Sequence, residues 1–376
     1  MQPGLVFNYI TLYLLDAVVD PLQLLAVTLF FVCIIAGVVL FILFYLIRRT
    51  GRSMRRRSLR EQYSNCISEL AVCETDEELQ SFLQQPDTQR ITRLLEHEAF
   101  SRRVIITELL KTVKNMSGNA ATNVCWFYEQ ANLQHDSLLR LQNGAWHVKA
   151  RAIQELSGLR QNKYITKIYR HTNNANELVR NEARTAVVKL TGFEGLRFLD
   201  VATYPLTEWQ QLCLLYELSL HSNRSFEGVQ RWLQSSNSSV TEFALRLVEV
   251  YHLHACFSTV TSCLKHAAKP VRKKALAALK EIYDPAINEI LVAMFPAEDA
   301  DVQILILQML KEFGTEEEQA FLLQQLLHEQ QEIKVAAARA VYYTQPDAES
   351  LLRQRVQTDT YPWNVLLVQL KQEVLL

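Results

Sequence analysis

From Leu22 to Ile47 the chain reads LQLLAVTLFFVCIIAGVVLFILFYLI, an apolar run in which only Gln23 and Thr28 are polar. At about 1.5 Å of rise per residue, roughly 20 residues cross the hydrocarbon of a bilayer. The run therefore predicts one membrane-spanning helix over 22–47, its surplus taken up by tilt or by the headgroup zone. It is too long and too uniformly apolar for a core helix of a soluble domain. From residue 61 onward the pattern changes to helical periodicity with no convincing strand. Thr75-Asp-Glu-Glu78 has the form of a capping box. Pro86-Asp87 breaks the helix that follows, and another is expected from about Thr88 to Phe100.

A regular mark begins near Trp146. The segments WHVKARAIQEL (146–156), ELVRNEARTAV (177–187), SVTEFALRLVEV (239–250), KPVRKKALAAL (269–279), ADVQILILQML (300–310) and EIKVAAARAV (332–341) share one pattern. A β-branched residue is followed by a polar one, a small or apolar residue stands four later, and usually an apolar one eight later. The marks are Val148, Val179, Val240, Val271, Val302 and Ile333, spaced by 31, 61, 31, 31 and 31. TEWQQLCLLYEL (207–218) fills the double gap with Trp209 as its mark, and a last unit falls at Asn364 in PWNVLLVQLKQ. Positions 0, +4 and +8 share one helix face and must pack on neighbours. Ala152, Ala183, Ala244, Ala275 and Ala337 keep position +4 small. Between marks lies a second amphipathic segment, such as KYITKIYRH (163–171) or EEEQAFLLQQLLH (316–328). A repeat of this length predicts an all-α fold: an α-solenoid of about eight helix-turn-helix repeats behind one transmembrane helix.

The second helix of each repeat resembles that of the HEAT-like repeat family, in its short bacterial form, whose pattern is V-R-x-x-A-x-x-A-L. The residues that carry the resemblance are VRKKALAAL (271–279), VRNEARTAV (179–187) and VKARAIQEL (148–156). It covers roughly residues 130–376; the Trp209 and Asn364 units depart from it. The resemblance is specific for architecture and weak for activity. Its enzymes, phycobilin lyases and alkylpurine DNA glycosylases, are soluble, and the glycosylases need a basic groove for phosphates.

Charge adds an orientation. The formal net charge is −1, yet the segment 1–60 holds seven Arg against two Asp, which leaves a mildly acidic remainder. Arg48, Arg49, Arg52, Arg55, Arg56, Arg57 and Arg60 follow the apolar run directly, and no Lys or Arg precedes it. This stop-transfer pattern differs from a cleaved signal peptide and places everything after Arg48 in the cytoplasm. The expected organisation is a short extracytoplasmic segment (1–21), the transmembrane helix (22–47) and an Arg-rich juxtamembrane linker (48–60). A helical N-terminal part of the solenoid (61–130) and the repeats (131–376) follow. Residues 9–19 are apolar enough to lie in the outer interface. The seven cysteines include no CxxC pair and suit a reducing compartment, most of them as small buried hydrophobes. Short repeats of this form tilt the expected location toward a bacterial inner membrane.

No catalytic signature of the GxxxxGK[ST], GxSxG, HExxH or GxGxxG type occurs. No enzyme activity and no cofactor are expected. The acidic body argues against nucleic acid as a partner. The leading expectation is a scaffold or adaptor that holds protein partners at the cytoplasmic face of the membrane. A membrane enzyme complex is one partner class it could serve, and the Arg cluster would touch anionic headgroups nonspecifically. Positions +2 and +6 point away from the core, so Glu242, Arg246, Lys273 and Arg339 are candidate partner-binding residues. The +1 column (Lys149, Arg180, Gln210, Thr241, Arg272, Gln303, Lys334) suggests a polar ladder between repeats, with Lys149, Arg180, Arg272 and Lys334 as its basic members. Two alternatives stand beside this reading. One is a metal-binding or enzymatic solenoid using His252, His254, Cys256, Cys263 and His266; the other is an anionic-lipid sensor built on the Arg cluster.

Overall fold

The computed structural model describes residues 21–222, 225–356 and 363–375, and these are helical with no strand among them. The chain divides into two units, Met1–Asp136 and Ser137–Leu376. The expected segment 1–21 lies, apart from Pro21, outside the described residues.

The first unit opens with α1 (Pro21–Val72), a single helix of 52 residues. Its apolar residues from Leu25 to Ile47 are all exposed, the opposite of a core helix, and the stretch is long and apolar enough to cross a membrane. Residues 48–60, expected as a linker, are helical throughout. Arg is a good helix former and no Pro interrupts the segment, so nothing breaks the backbone hydrogen bonds started in the apolar run. From Leu59 onward α1 turns one face inward: Leu59, Tyr63, Cys66, Ile67 and Leu70 are buried. They pack against α4 (Ala99–Asn115) and α5 (Asn119–Gln130), after the shorter α2 (Asp76–Gln84) and α3 (Pro86–His97). Thr75 caps α2, its hydroxyl accepting from Glu78 N at 3.2 Å, while the Glu78 carboxylate accepts from Glu74 N at 2.8 Å. The reciprocal bond thus reaches one residue further back than in a standard capping box. Asn123 closes the far end of α1 by donating to Leu70 O and Cys73 O.

The second unit is a solenoid of paired helices with one continuous hydrophobic core from Leu138 to Leu370. Eight longer second helices follow one another: α7 (Trp146–Gly158), α9 (Glu177–Thr191), α10 (Glu208–Ser219), α12 (Ser238–Tyr251), α14 (Lys269–Glu281), α16 (Ala300–Phe313), α18 (Gln331–Thr344) and α20 (Trp363–Leu375). Their partners are α6 (Leu133–Asn143), which continues from the first unit, and the shorter α8 (Ile165–Tyr169), α11 (Val229–Leu233), α13 (Phe257–Cys263), α15 (Ile287–Met294), α17 (Gln319–Gln325) and α19 (Ala348–Arg355). Before α10 the partner is a 3₁₀ segment, Gly192–Val201. Its entry needs Gly192 at φ +64°, and Gly195 lies so close to α9 that a Cβ there would stand 2.7 Å from Val187 O. Neighbouring second helices pack directly, as in α7 with α9, α12 with α14 and α16 with α18.

All eight sequence marks fall on these second helices, but two carry the wrong register. Trp209 is 74% exposed, whereas Gln210 is 3% exposed and Leu214 and Leu218 are fully buried. Position 0 of α10 is therefore Gln210. At about 100° per residue the buried face is fixed by Leu214 and Leu218, and Trp209 falls outside it. Likewise Asn364 is exposed, while Trp363, Leu366, Leu367 and Leu370 are buried, so Asn364 does not stand on the buried face of α20.

Candidate functional site

With position 0 turned into the core, +2 and +6 lie roughly 200° and 240° around the helix and face outward. On α14, α16 and α18 these are Lys273 and Ala277, Ile304 and Gln308, and Val335 and Arg339. All of them line one groove of about 750 Å³. Leu276, Leu305 and Ala336 add to its apolar floor, and Lys280, Lys311, Glu312 and Glu332 stand around it. Lys273 pairs with Asp301, which also accepts from Lys269 at 2.6 Å; the two ammonium groups hold the Asp301 carboxyl well below the usual carboxylate range. Lys280 pairs with Glu312 at 2.7 Å, Arg339 with Glu373 at 3.2 Å, and Lys311 lies 4.1 Å from the centre of the Tyr343 ring. The groove joins an apolar floor to a border of mostly ion-paired charges, a surface suited to holding a peptide segment. Its lining residues include no Ser, Cys or His that could form a nucleophile-base pair.

Lys273 and Arg339, two of the four expected binding residues, thus meet in this groove. The other two, Glu242 and Arg246, stand together on α12, nearer α10. Burial raises the Glu242 carboxyl pKa, and Glu208 of α10 raises it further, against Lys274, Arg246 and His266, which lower it. Lys274 reaches Glu208 at 4.0 Å. Packed helices lie about 8–10 Å apart, so an ion pair from α14 to α10, past α12, means that the second helices converge on this face.

The +1 column does something more local than a continuous ladder. Arg180 donates to Asn174 O and Ala175 O, Arg272 to His266 O and Ala267 O, and Thr241 to Ser235 O. Gln303 donates to Phe295 O. In the corrected register the α10 member is Gln211, and it donates to Leu206 O. Each side chain closes the turn that precedes its own helix, where carbonyl groups lack helical partners. Contact with the next repeat is added by Arg272, bidentate to Glu298 at 2.7 and 2.8 Å, and by Arg180, stacked 4.2 Å from the centre of the Tyr204 ring. Lys149 and Lys334 are half-buried at equivalent positions. Gln210, expected in this column, has another role: its Oε1 accepts from Arg184 Nη1 at 3.1 Å. Arg184 is fully buried, also donates to Thr172 O and Tyr204 O, and has its pKa lowered to about 10 by burial, with Arg180 adding to the effect.

The alternative metal cluster does not assemble. Cys256 and Cys263 turn into the core, and the Cys263 thiol donates to Leu233 O and Thr259 O. The His266 ring accepts from Ala268 N, and His252 faces Glu281 at 3.6 Å. No three His, Cys, Asp or Glu side chains gather in metal-holding geometry among the described residues.

The Arg cluster on α1 divides. Arg55 pairs with Glu98 at 2.5 Å, Arg57 with Glu61 at 3.3 Å and Arg60 with Glu108 at 2.9 Å, while Arg48 lies over the Phe44 ring. Arg49, Arg52 and Arg56 are exposed.

Sequence reasoning passed over the α10 part of the same outward face. Moving the repeat mark to Gln210 puts Leu212 at +2 and Tyr216 at +6, and both are exposed. The signal was the spacing of Leu214 and Leu218, which points back to 210.

Several solved structures are similar to this chain. A crystal structure of an engineered protein is 14% identical over 86% of this chain and 95% of that one, with a TM-score of 0.39. Importin beta is 13% identical over 82% of this chain, which spans 45% of the importin chain, with a TM-score of 0.35. The complex of CpcE and CpcF of phycocyanin lyase from Nostoc sp. PCC7120 is 14% identical over 76% of this chain and 96% of that one, with a TM-score of 0.25. At these scores the likenesses bear on neither activity nor partner. No curated protein matches. Residues 257–342, which run from α13 through α18 and include the three helices of the groove, match the family described as HEAT repeats.

Proposed function

We propose that this chain is a membrane-anchored adaptor that performs no chemistry and holds a protein partner on the outward face of its second helices. The observation that carries the reading is the groove across α14, α16 and α18, lined by the +2 and +6 side chains of all three helices. A solenoid offers a long surface of this kind without needing a deep pocket. In this reading α1 spans the membrane, and the Arg side chains that follow keep both units on the cytoplasmic side. Arg48, Arg49, Arg52 and Arg56 meet anionic headgroups nonspecifically. Confinement beside the bilayer raises the effective concentration toward other membrane proteins, so a membrane enzyme complex is the favoured partner class. A bacterial inner membrane is the favoured location.

The test is affinity capture of the full chain from membranes, comparing wild type with a Lys273→Glu/Arg339→Glu double variant. The expected result is loss of a co-purifying protein with insertion and helicity unchanged. An unchanged set of co-purifying proteins would overturn the groove as the binding surface. A reporter at Leu376 active only outside the cytoplasm would overturn the orientation.

A further inference from the structure

The strongest unassigned feature of the second unit lies on α10. Trp209, Leu212, Tyr216 and Leu220 are 74%, 51%, 64% and 64% exposed. Their spacing of three, four and four positions stacks them along one side of the helix. Counted from Gln210 they occupy −1, +2, +6 and +10, the same outward face that forms the groove further along. Four large apolar side chains in a row, two of them aromatic, make an unusual surface to leave in water.

The charges beside this stripe are mostly negative. Burial raises the pKa of the Cys213 thiol, and Glu217 of α10 and Glu182 of α9 lie close enough to raise it further. Glu208 opens α10, and Glu242 of α12 feels its charge. Against these four carboxylates stand Lys274, which reaches Glu208, and Arg246, beside Glu242.

From this juxtaposition we infer that the Trp209–Leu220 stripe docks a helical peptide segment of a partner protein, with apolar residues on one side and Lys or Arg flanking them. This rests on the adaptor reading and adds to it a second binding element and the charge of its occupant. The apolar row supplies the contact area, and Trp and Tyr are the residue types that anchor interfaces. The surrounding carboxylates select the sign of the flanking charge. Glu242, half-buried between Lys274, Glu208 and Arg246, gains a further opposite charge when a basic residue arrives. The same carboxylates disfavour two other occupants. A second copy docked stripe to stripe would bring Glu208 and Glu217 of both chains together, and an anionic bilayer surface would meet an acidic border.

The test uses the full chain in neutral detergent and two synthetic amphipathic peptides with the same Leu and Trp anchors, one flanked by Lys and one by Glu. Fluorescence anisotropy should show saturable binding of the Lys-flanked peptide, weakening as salt rises, and binding of the Glu-flanked peptide at least about tenfold weaker. Trp209→Ala and Tyr216→Ala should each weaken the Lys-flanked peptide about tenfold or more with an unchanged thermal midpoint, because both side chains stand outside the core. Glu217→Lys should reverse the preference between the peptides in part. Equal binding of the two peptides, or binding untouched by Trp209→Ala, would overturn the inference. So would dimerisation that Trp209→Ala abolishes, or quenching by brominated lipid that Trp209→Ala removes, which would assign the stripe to a second copy or to the bilayer. Should Lys273→Glu/Arg339→Glu abolish partner capture while Trp209→Ala leaves peptide and partner binding intact, the groove reading survives and this one falls.

Discussion

Arg184 Nη1 donates to Gln210 Oε1 at 3.1 Å, joining α9 to α10 inside the core. The other acceptors of the guanidinium are backbone carbonyls, Thr172 O and Tyr204 O. It lets a glutamine occupy the position that an apolar residue holds in the other repeats. It also ties the turn before α9, at Thr172, to the segment between the 3₁₀ connection and α10, at Tyr204. Arg184→Ala leaves two buried acceptors and one half-buried acceptor without this donor and opens a void. The expected loss is about 3 kcal/mol or more, read from urea unfolding of the full chain in detergent. A loss under about 1 kcal/mol would show that water replaces the side chain.

The corrected register of α10 separates two neighbouring substitutions. Leu214→Ala, in the core, should lower stability by about 2–5 kcal/mol. Trp209→Ala should leave it within about 0.5 kcal/mol, as for most surface changes. Had Trp209 been the buried mark, the order would be reversed, and thermal melts of the two variants decide it.

Within the +1 column the basic residues divide by what they touch. Arg272→Ala removes a bidentate partner from Glu298, which is nearly buried, and strips two turn carbonyls, so a loss of about 3 kcal/mol is expected. Lys334→Ala, at a half-buried side chain, should change stability by less than about 0.5 kcal/mol. Equal effects of the two variants in denaturant titration would restore a uniform ladder.

Burial pushes the Cys263 thiol up to about 11 from an ordinary value of 9. A thiol whose folded pKa is raised costs no stability below pH 9, costs increasingly more between pH 9 and 11, where the unfolded chain has given up a proton that the folded chain keeps, and costs a constant amount above pH 11. Stability therefore falls as pH climbs from 9 to 11. Cys263→Ala should flatten this part of the stability profile. At pH 8 in native conditions Cys263 should resist alkylation and become reactive only on unfolding, as mass spectrometry of iodoacetamide-treated protein would show.

The second helices were legible in the sequence because burial at 0, +4 and +8 leaves few residue choices, and Val271, Ala275 and Leu279 satisfy all three at once. Most of their partners were harder to bound, since helices as short as α8 and α15 hold too few turns to impose a period. Register failed at Trp209 because an apolar residue stood beside a polar one, and Gln210 is buried only through Arg184 on the preceding second helix. Outward positions followed from the same geometry, so Lys273 and Arg339 were found. Groove residues such as Lys280 and Lys311, two turns further along, belong to no repeated pattern and were not. The helical state of 48–60 was hidden by the habit of reading dense charge as a solvated connector.

The unbroken path of α1 makes the number of residues between Ile47 and Leu59 a setting of angle as well as length. Each residue added there turns the first unit by about 100° about the helix axis and lifts it by about 1.5 Å. One inserted residue would swing Tyr63 and Ile67 to a different azimuth relative to the apolar run. Seven would lift the unit by about 10 Å yet return it to within about 20° of its original heading. The direction in which the packed end of α1 faces, relative to its apolar run, is thereby written into a count of amino acids.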